Sequence, residues 1–260
     1  MNITLKEKLK KNILTIGSWI TIGHPTVAEL MAHSGFDWLA IDMEHSPLSI
    51  SECQELIRTI DLCGVPALVR VGANDPLLIK RAMDSGAHGV IVPMVNSAQE
   101  ARQAVASVYY PPEGNRGVGL ARAQGYGRDF DAYKRWVRDH AVVVVQIEHI
   151  KAVENINAIL AVKGIDAIII GPYDLSGSLG KPGDFKDPAV VNAMSKVQKK
   201  AAARGIPPGV HVVSSDEKLL AARIKQGYTF IAYGVDFLFI QENCAKGLEF
   251  VKNGFPLSRE

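Results

Sequence analysis

The sequence predicts an α/β protein built as a single (β/α)8 barrel, and three observations predict it. Short apolar runs rich in β-branched residues alternate with longer stretches of helical periodicity from one end of the chain to the other. Eight such runs can be counted, the number a closed parallel barrel needs. No composition break, proline-rich linker or low-complexity segment divides the 260 residues, so one domain spanning 1–260 is expected. The rival fold, an open doubly wound sheet, would carry a GxGxxG turn after its first strand, and none is present.

The elements follow in order. The first run, 16–23 (IGSWITIG), carries Trp19, and the helical stretch TVAELMAHSG after it stops at glycine, as helices often do. The second, 38–45 (WLAIDMEH), ends in Asp42, Glu44 and His45; the helix ISECQELIRTIDLCG again closes on glycine. The third, 66–72 (PALVRVG), is apolar except for Arg70, and the next helix, DPLLIKRAMDSG, carries Asp84. The fourth is GVIVPMV at 89–95. Roughly forty-five residues separate it from the fifth, more than a helix with two short loops requires. The excess, about 109–136, opens with Pro111 and Pro112, carries Arg116, Arg122 and Arg128 among glycines, and closes in a short helix. A long ordered loop at a barrel mouth is expected to be functional or to build an interface.

The fifth run, 142–149 (VVVVQIEH), turns polar at its end. Because side chains alternate faces along a strand, Gln146 and Glu148 point the same way and Ile147 points the other. The sixth, DAIIIGPYD, runs into Gly171, Pro172, Tyr173 and Asp174. PPGVHVV and TFIAYGVD complete the set, and a last helix is expected over about 236–252, with Phe237, Leu238, Ile240, Leu248 and Phe250 to cover.

Composition narrows the partners. A net charge of +2, from 29 basic and 27 acidic residues, gives no electrostatic reason to expect nucleic acid or an anionic membrane. A small-molecule partner is expected instead. Cys53, Cys63 and Cys244 lack CxxC spacing, which argues against a disulfide framework or a structural zinc site and fits a reducing cytoplasm. The N-terminus has charge but no apolar segment after it, and no run approaches a bilayer span.

The polar residues collect at the strand ends, where barrels of this kind place their active sites. Glu148 and Asp174 lie one strand-helix-strand unit apart, which sets two carboxylates side by side at the rim. Such a pair either holds a hard divalent cation with oxygen ligands, leaving positions for water and substrate, or stands as solvated or ion-paired acids. Arg70 is costly inside a barrel without an anion; substrate carboxylate or enolate is one partner, and a structural bridge to Asp42 or Glu44 is the other. His45, beside two acids, can act as acid or base near neutral pH. The other six histidines, including His149 and His211, are expected to cap helices or sit in the core. None of the eight runs contains lysine, so a Schiff base is not available there and carbanion chemistry would need a metal.

In this order and spacing, GFDWLAIDMEHSP, PALVRV, GAHGVIVPMV, YYPPEGNRGVG, VQIEH and GPYDLSGSLG resemble the HpcH/HpaI aldolase family, grouped with the citrate lyase β-subunit superfamily. The likeness covers roughly Ile16 to Asp236. It implies a metal-dependent, class II aldolase that cleaves a 4-hydroxy-2-oxo acid, of the 2,4-dihydroxyhept-2-enedioate or 2-keto-3-deoxy sugar acid type, reversibly to pyruvate and an aldehyde. By resemblance Glu148 and Asp174 hold the ion, Mg2+ or Mn2+ and also Co2+; Arg70 touches the keto oxygen; His45 is the acid/base, helped by Asp84. Gln146 and the backbone from Gly171 through Pro172 to Tyr173 would hold metal waters and the carboxylate, and Trp19 would line the same site; Arg122, with Arg116 and Arg128, would either meet a carboxylate on the acceptor or brace the loop or a subunit interface. Tyr173 stands where the best-known members have alanine, which narrows the pocket or changes its polarity. Condensation, as in citrate synthesis of siderophore pathways, is the enzymatic alternative, and an oxo-acid-binding barrel without turnover the other. Family members resemble trimers of dimers, so a hexamer with the last helix packed on a neighbour is expected.

Overall fold

The computed structural model describes residues 3–254. Its eight strands are β1 (Thr15–Ile20), β2 (Trp38–Asp42), β3 (Ala67–Arg70), β4 (Gly89–Val92), β5 (Val142–Ile147), β6 (Ala167–Ile170), β7 (Pro208–Val212) and β8 (Phe230–Val235). All pair in parallel and in sequential order, and β8 returns to β1 to close the barrel. The helices are α1 (Leu5–Lys10), α2 (Pro25–His33), α3 (Ile50–Leu62), α4 (Pro76–Asp84), α5 (Ala98–Val108), α6 (Phe130–His140), α7 (Ile150–Glu154), α8 (Ile156–Ile159), α9 (Pro172–Ser178), α10 (Pro188–Ala203), α11 (Glu217–Lys225) and α12 (Asp236–Gly254). The fold is the (β/α)8 barrel expected. Local chemistry starts the helices sharply: Asp75 accepts from the amides of Leu77 and Leu78 ahead of Pro76, and Ser49 with Glu52 forms a reciprocal capping box.

Strand alternation divides the apolar residues between two layers. Outward residues such as Ile41, Val69, Val143 and Ile168 join the helices in the larger core, whereas Trp38, Leu68, Ile91, Val144, Ile169 and Phe230 fill the barrel itself. Trp38 stacks on Phe230 at 4.4 Å and lies so close over Gly17 that a Cβ there would meet its ring at 2.1 Å. Leu5 and Leu9 of α1 belong to the inner cluster, so the chain's first helix plugs the strand-start end and leaves the other end to open. Among the described residues no helix is long and apolar enough to cross a membrane.

The long connection corrects an expectation. It begins at Tyr109, after α5 has carried the chain back from the mouth, so within one chain it lies at the strand-start end. Two of its arginines brace it there. The buried Arg116 pairs with Asp84 through Nη2, donates to the Tyr133 hydroxyl at 3.3 Å and lies against the rings of Tyr110 and Tyr133. Arg122 donates through Nη1 to the Ser85 carbonyl at 3.0 Å and sits 3.5 Å from Asp61. Asp84, the last residue of α4, is therefore at the end of the barrel opposite His45, and neither it nor Arg122 enters the mouth of its own chain.

Candidate active site

The inward positions at the strand ends build one cavity of about 350 Å3, lined by Trp19, His45, Arg70, Gln146, Gly171, Pro172, Tyr173, Asp174 and His211 among others. Three cavities are larger: two of about 540 and 470 Å3 at the strand-start end around His88 and Trp136, and one of about 550 Å3 between the turn after β7 and α12, around Ser215 and Glu242. Size does not mark the site here: none of the three receives the polar residues that end β2, β3, β5 and β6. Glu29, His33 and Cys63 also bring potential ligand atoms within 4.8 Å of one another, on α2 and just past α3, outside the barrel and away from the mouth.

Arg70 organises one wall. Asp42 is its register partner across β2 and β3, and the two pair through two contacts, Nε to Oδ1 at 2.9 Å and Nη2 to Oδ2 at 2.6 Å. The guanidinium lies over the Trp19 ring at 4.3 Å, and Glu44 approaches Nε at 3.4 Å. The structural bridge that the sequence left open therefore exists, yet Arg70 still lines the cavity. With Nε and Nη2 committed to Asp42, Nη1 remains for an anion. Burial alone would raise the Asp42 carboxyl, but Arg70's hydrogen bonds and charge prevail and hold it below the usual carboxylate range.

Acidic groups gather beside Arg70. Glu148 is buried; Oε1 accepts from the Met94 amide at 2.6 Å and Oε2 from the Gln146 side-chain amide. Asp174 stands exposed in the first turn of α9. Burial raises Glu148, with Asp174's charge adding to it. Glu44 is pushed up to about 7, first by burial and then by the charges of Glu148, Asp42 and Asp174, against the pull of Arg70. Its Oε2 is buried without a hydrogen-bond donor, as is Gln146 Oε1. Gly171 makes the close packing possible, because a Cβ there would come within 2.8 Å of Glu148 Oε2 and 3.2 Å of Gln146 Nε2. His45 is held at the rim, its amide donating to Asp42 at 3.2 Å and its Nε2 3.8 Å from Glu44. Tyr173 is half exposed at the lip, edge-on to Phe185 at 4.8 Å.

Two contributors escaped the sequence reading. Met94 adopts φ of 53°, a conformation that costs a residue with a Cβ about 1–2 kcal/mol, and that backbone aims its amide at Glu148; methionine in an apolar run signals none of this. His211, expected as a core or capping residue, lines the cavity instead. Counting faces down β7 would have found it, since inward Gly209 places His211 inward too. His149 does cap α7, accepting from the Lys151 amide at 3.1 Å.

With this geometry in place, the comparisons with known proteins are direct. The HpcH/HpaI aldolase/citrate lyase family matches residues 15–241. A 4-hydroxy-2-oxo-heptane-1,7-dioate aldolase of Salmonella arizonae is 40% identical over 238 residues, 91% of this chain and 89% of that one. A 2-dehydro-3,6-dideoxy-6-sulfogluconate aldolase of Pseudomonas putida is 37% identical over 88% of this chain and 89% of its own. A solved family member from Burkholderia cenocepacia superposes with a TM-score of 0.90 at 32% identity, covering 95% of this chain and 98% of that chain. Sequence and fold agree over the span that carries the strand-end residues, so this chain belongs to the HpcH/HpaI aldolase/citrate lyase family and is a carbon-carbon lyase of the aldolase kind.

Proposed function

We propose that the protein cleaves a 4-hydroxy-2-oxo acid reversibly to pyruvate and an aldehyde, with a divalent cation at Glu148 and Asp174. The observation that carries the reading is one cavity where an acidic cluster meets an arginine that keeps a free guanidinium nitrogen. The residues present fit a hard cation. The charges of Glu148 and Asp174 raise the proton affinity of Glu44, and that of Asp174 raises Glu148, Gln146 Oε1 is a buried acceptor without a donor, and Glu148, Asp174 and Gln146 all offer oxygen. Glu148 and Asp174 would hold the ion, with Gln146 beside it, and the ion would supply a Lewis acid to the 2-oxo acid. Mg2+ and Mn2+ suit this donor set, and Co2+ is a further candidate.

The chain's own groups supply the rest. Arg70 Nη1 meets the oxygen on C2, where negative charge develops as the bond between C3 and C4 breaks. His45, acting through a water, takes the proton from the 4-hydroxyl, and the released carbonyl leaves as the aldehyde. C3 then takes a proton to give pyruvate. The backbone of Gly171 through Tyr173 receives the carboxylate at the start of α9, and Trp19 holds Arg70 flat. The aldolases at 37% and 40% identity favour cleavage over condensation. The test is pyruvate release from 4-hydroxy-2-oxo acids with and without chelator: EDTA should abolish it, and Glu148→Gln or Asp174→Asn should weaken metal binding severely. Full activity of either variant without metal would refute the proposal.

A further inference from the structure

His211 lines the cavity with an imidazole that has no part in that scheme. Its Nε2 lies 3.3 Å from the Gly234 carbonyl oxygen. A carbonyl only accepts, so Nε2 carries the proton and donates. The contact is held from both sides. Gly234 has φ of 63°, and a Cβ on it would strike the Phe239 ring at 2.3 Å, while Trp19 meets the imidazole edge-on at 5.4 Å. Burial pushes the imidazole down to about 4, with Arg70's charge acting in the same direction and the Gly234 bond and Asp42 opposing. The ring is thus neutral under ordinary conditions, and its tautomer is fixed. Among the described residues no protein group meets Nδ1, which is left as a lone-pair acceptor on a ring that lines the cavity.

An acceptor without charge is the wrong partner for a carboxylate or an aldehyde oxygen, both of which only accept. It suits a group that donates. Resting on the aldolase reading above, we infer that His211 Nδ1 is a specificity determinant that accepts a hydrogen bond from a substrate hydroxyl, so that the enzyme favours hydroxylated substrates over their deoxy counterparts. The hydroxyl belongs either to C3 of the 2-oxo acid or to the carbon beside the aldehyde. Nonpolar replacement removes the acceptor, whereas Asn places an amide oxygen close to where Nδ1 stands.

The experiment pairs two donors, pyruvate and 3-hydroxypyruvate, with two acceptors, acetaldehyde and glycolaldehyde, on the Mg2+-loaded enzyme. The wild type, His211→Leu and His211→Asn are compared by kcat/KM, and the two oxo acids are titrated calorimetrically without acceptor. In His211→Leu the hydroxylated-to-deoxy ratio should fall about tenfold, the worth of one hydrogen bond, and His211→Asn should restore most of it. A change confined to the donor pair, seen also in the binding titration, assigns the hydroxyl to C3; a change confined to the acceptor pair assigns it to the aldehyde. An unchanged ratio, or equal loss on all four pairings, overturns the inference, and if the Leu variant does not fold the Asn variant carries the same ratio test against Gln, whose oxygen reaches past Nδ1. A wild type inactive on every pairing would instead sink the aldolase reading itself.

Discussion

Arg70 joins the fold to the proposed chemistry. Two of its nitrogens are bound to Asp42 and its face to Trp19, so the third is presented at a fixed angle that a flexible ammonium cannot copy. Arg70→Lys should therefore lower kcat by about a hundredfold or more, the scale of losing one oriented donor to a developing oxyanion, while circular dichroism shows a folded protein. An unchanged kcat would leave the residue its structural role alone. The residue scale also shows what was legible. Gln146 and Glu148 were readable because two polar residues interrupt a valine run at alternating positions. Asp42's hold on Arg70 was readable only as one of two options, because either an internal or an external anion satisfies a buried guanidinium. Met94 was invisible, since its contribution is made by its backbone.

At the scale of elements, the turn from β6 into α9 is where packing limits the site most tightly. Gly171 has an ordinary φ of −90°, so its requirement is steric: Glu148 and Gln146 occupy the space a side chain would need. Gly171→Ala should displace Glu148 and, with Glu148 the proposed metal ligand, weaken metal affinity by roughly 10–100-fold, with the melting temperature little changed once metal is removed. The junction of β8 with α12 makes a second test. Asp236 is buried and accepts from the amides of Thr21 and Ile22, each at 2.7 Å, and from the Thr21 hydroxyl at 2.6 Å. Asp236→Ala strands those donors and should cost about 1–3 kcal/mol for each one left unsatisfied by water, read as a lower urea midpoint. The long connection teaches the limit of element-scale reading. Its length was evident, but its end of the barrel depended on whether α5 preceded it, and the helical pattern of 98–108 had already returned the chain to the strand-start end.

For the whole molecule, two expectations remain to be measured. The exposed Phe237, Ile240, Leu248 and Phe250 of α12 support assembly through that helix, and light scattering at micromolar concentration should give the mass of a hexamer; a monomer would contradict it. The second expectation links stability, protons and metal. Glu44 has a folded value of about 7 against its ordinary 4.5, and Glu148 is shifted the same way. A carboxyl raised on folding contributes fully below its unfolded value and loses that contribution as pH rises through the folded one. The metal-free protein should therefore lose stability from this cluster between about pH 4.5 and pH 7. A divalent cation binds the ionised forms and must displace protons where they are still held. Saturating Mn2+ should accordingly raise the melting temperature little at pH 5.5 and clearly more at pH 8. Scanning fluorimetry at both pH values, with and without Mn2+, reads the difference, and Glu148→Gln, which removes one charge from the wall, should flatten it. An equal rise at both pH values in the wild type would mean that the ion is bound away from these carboxylates.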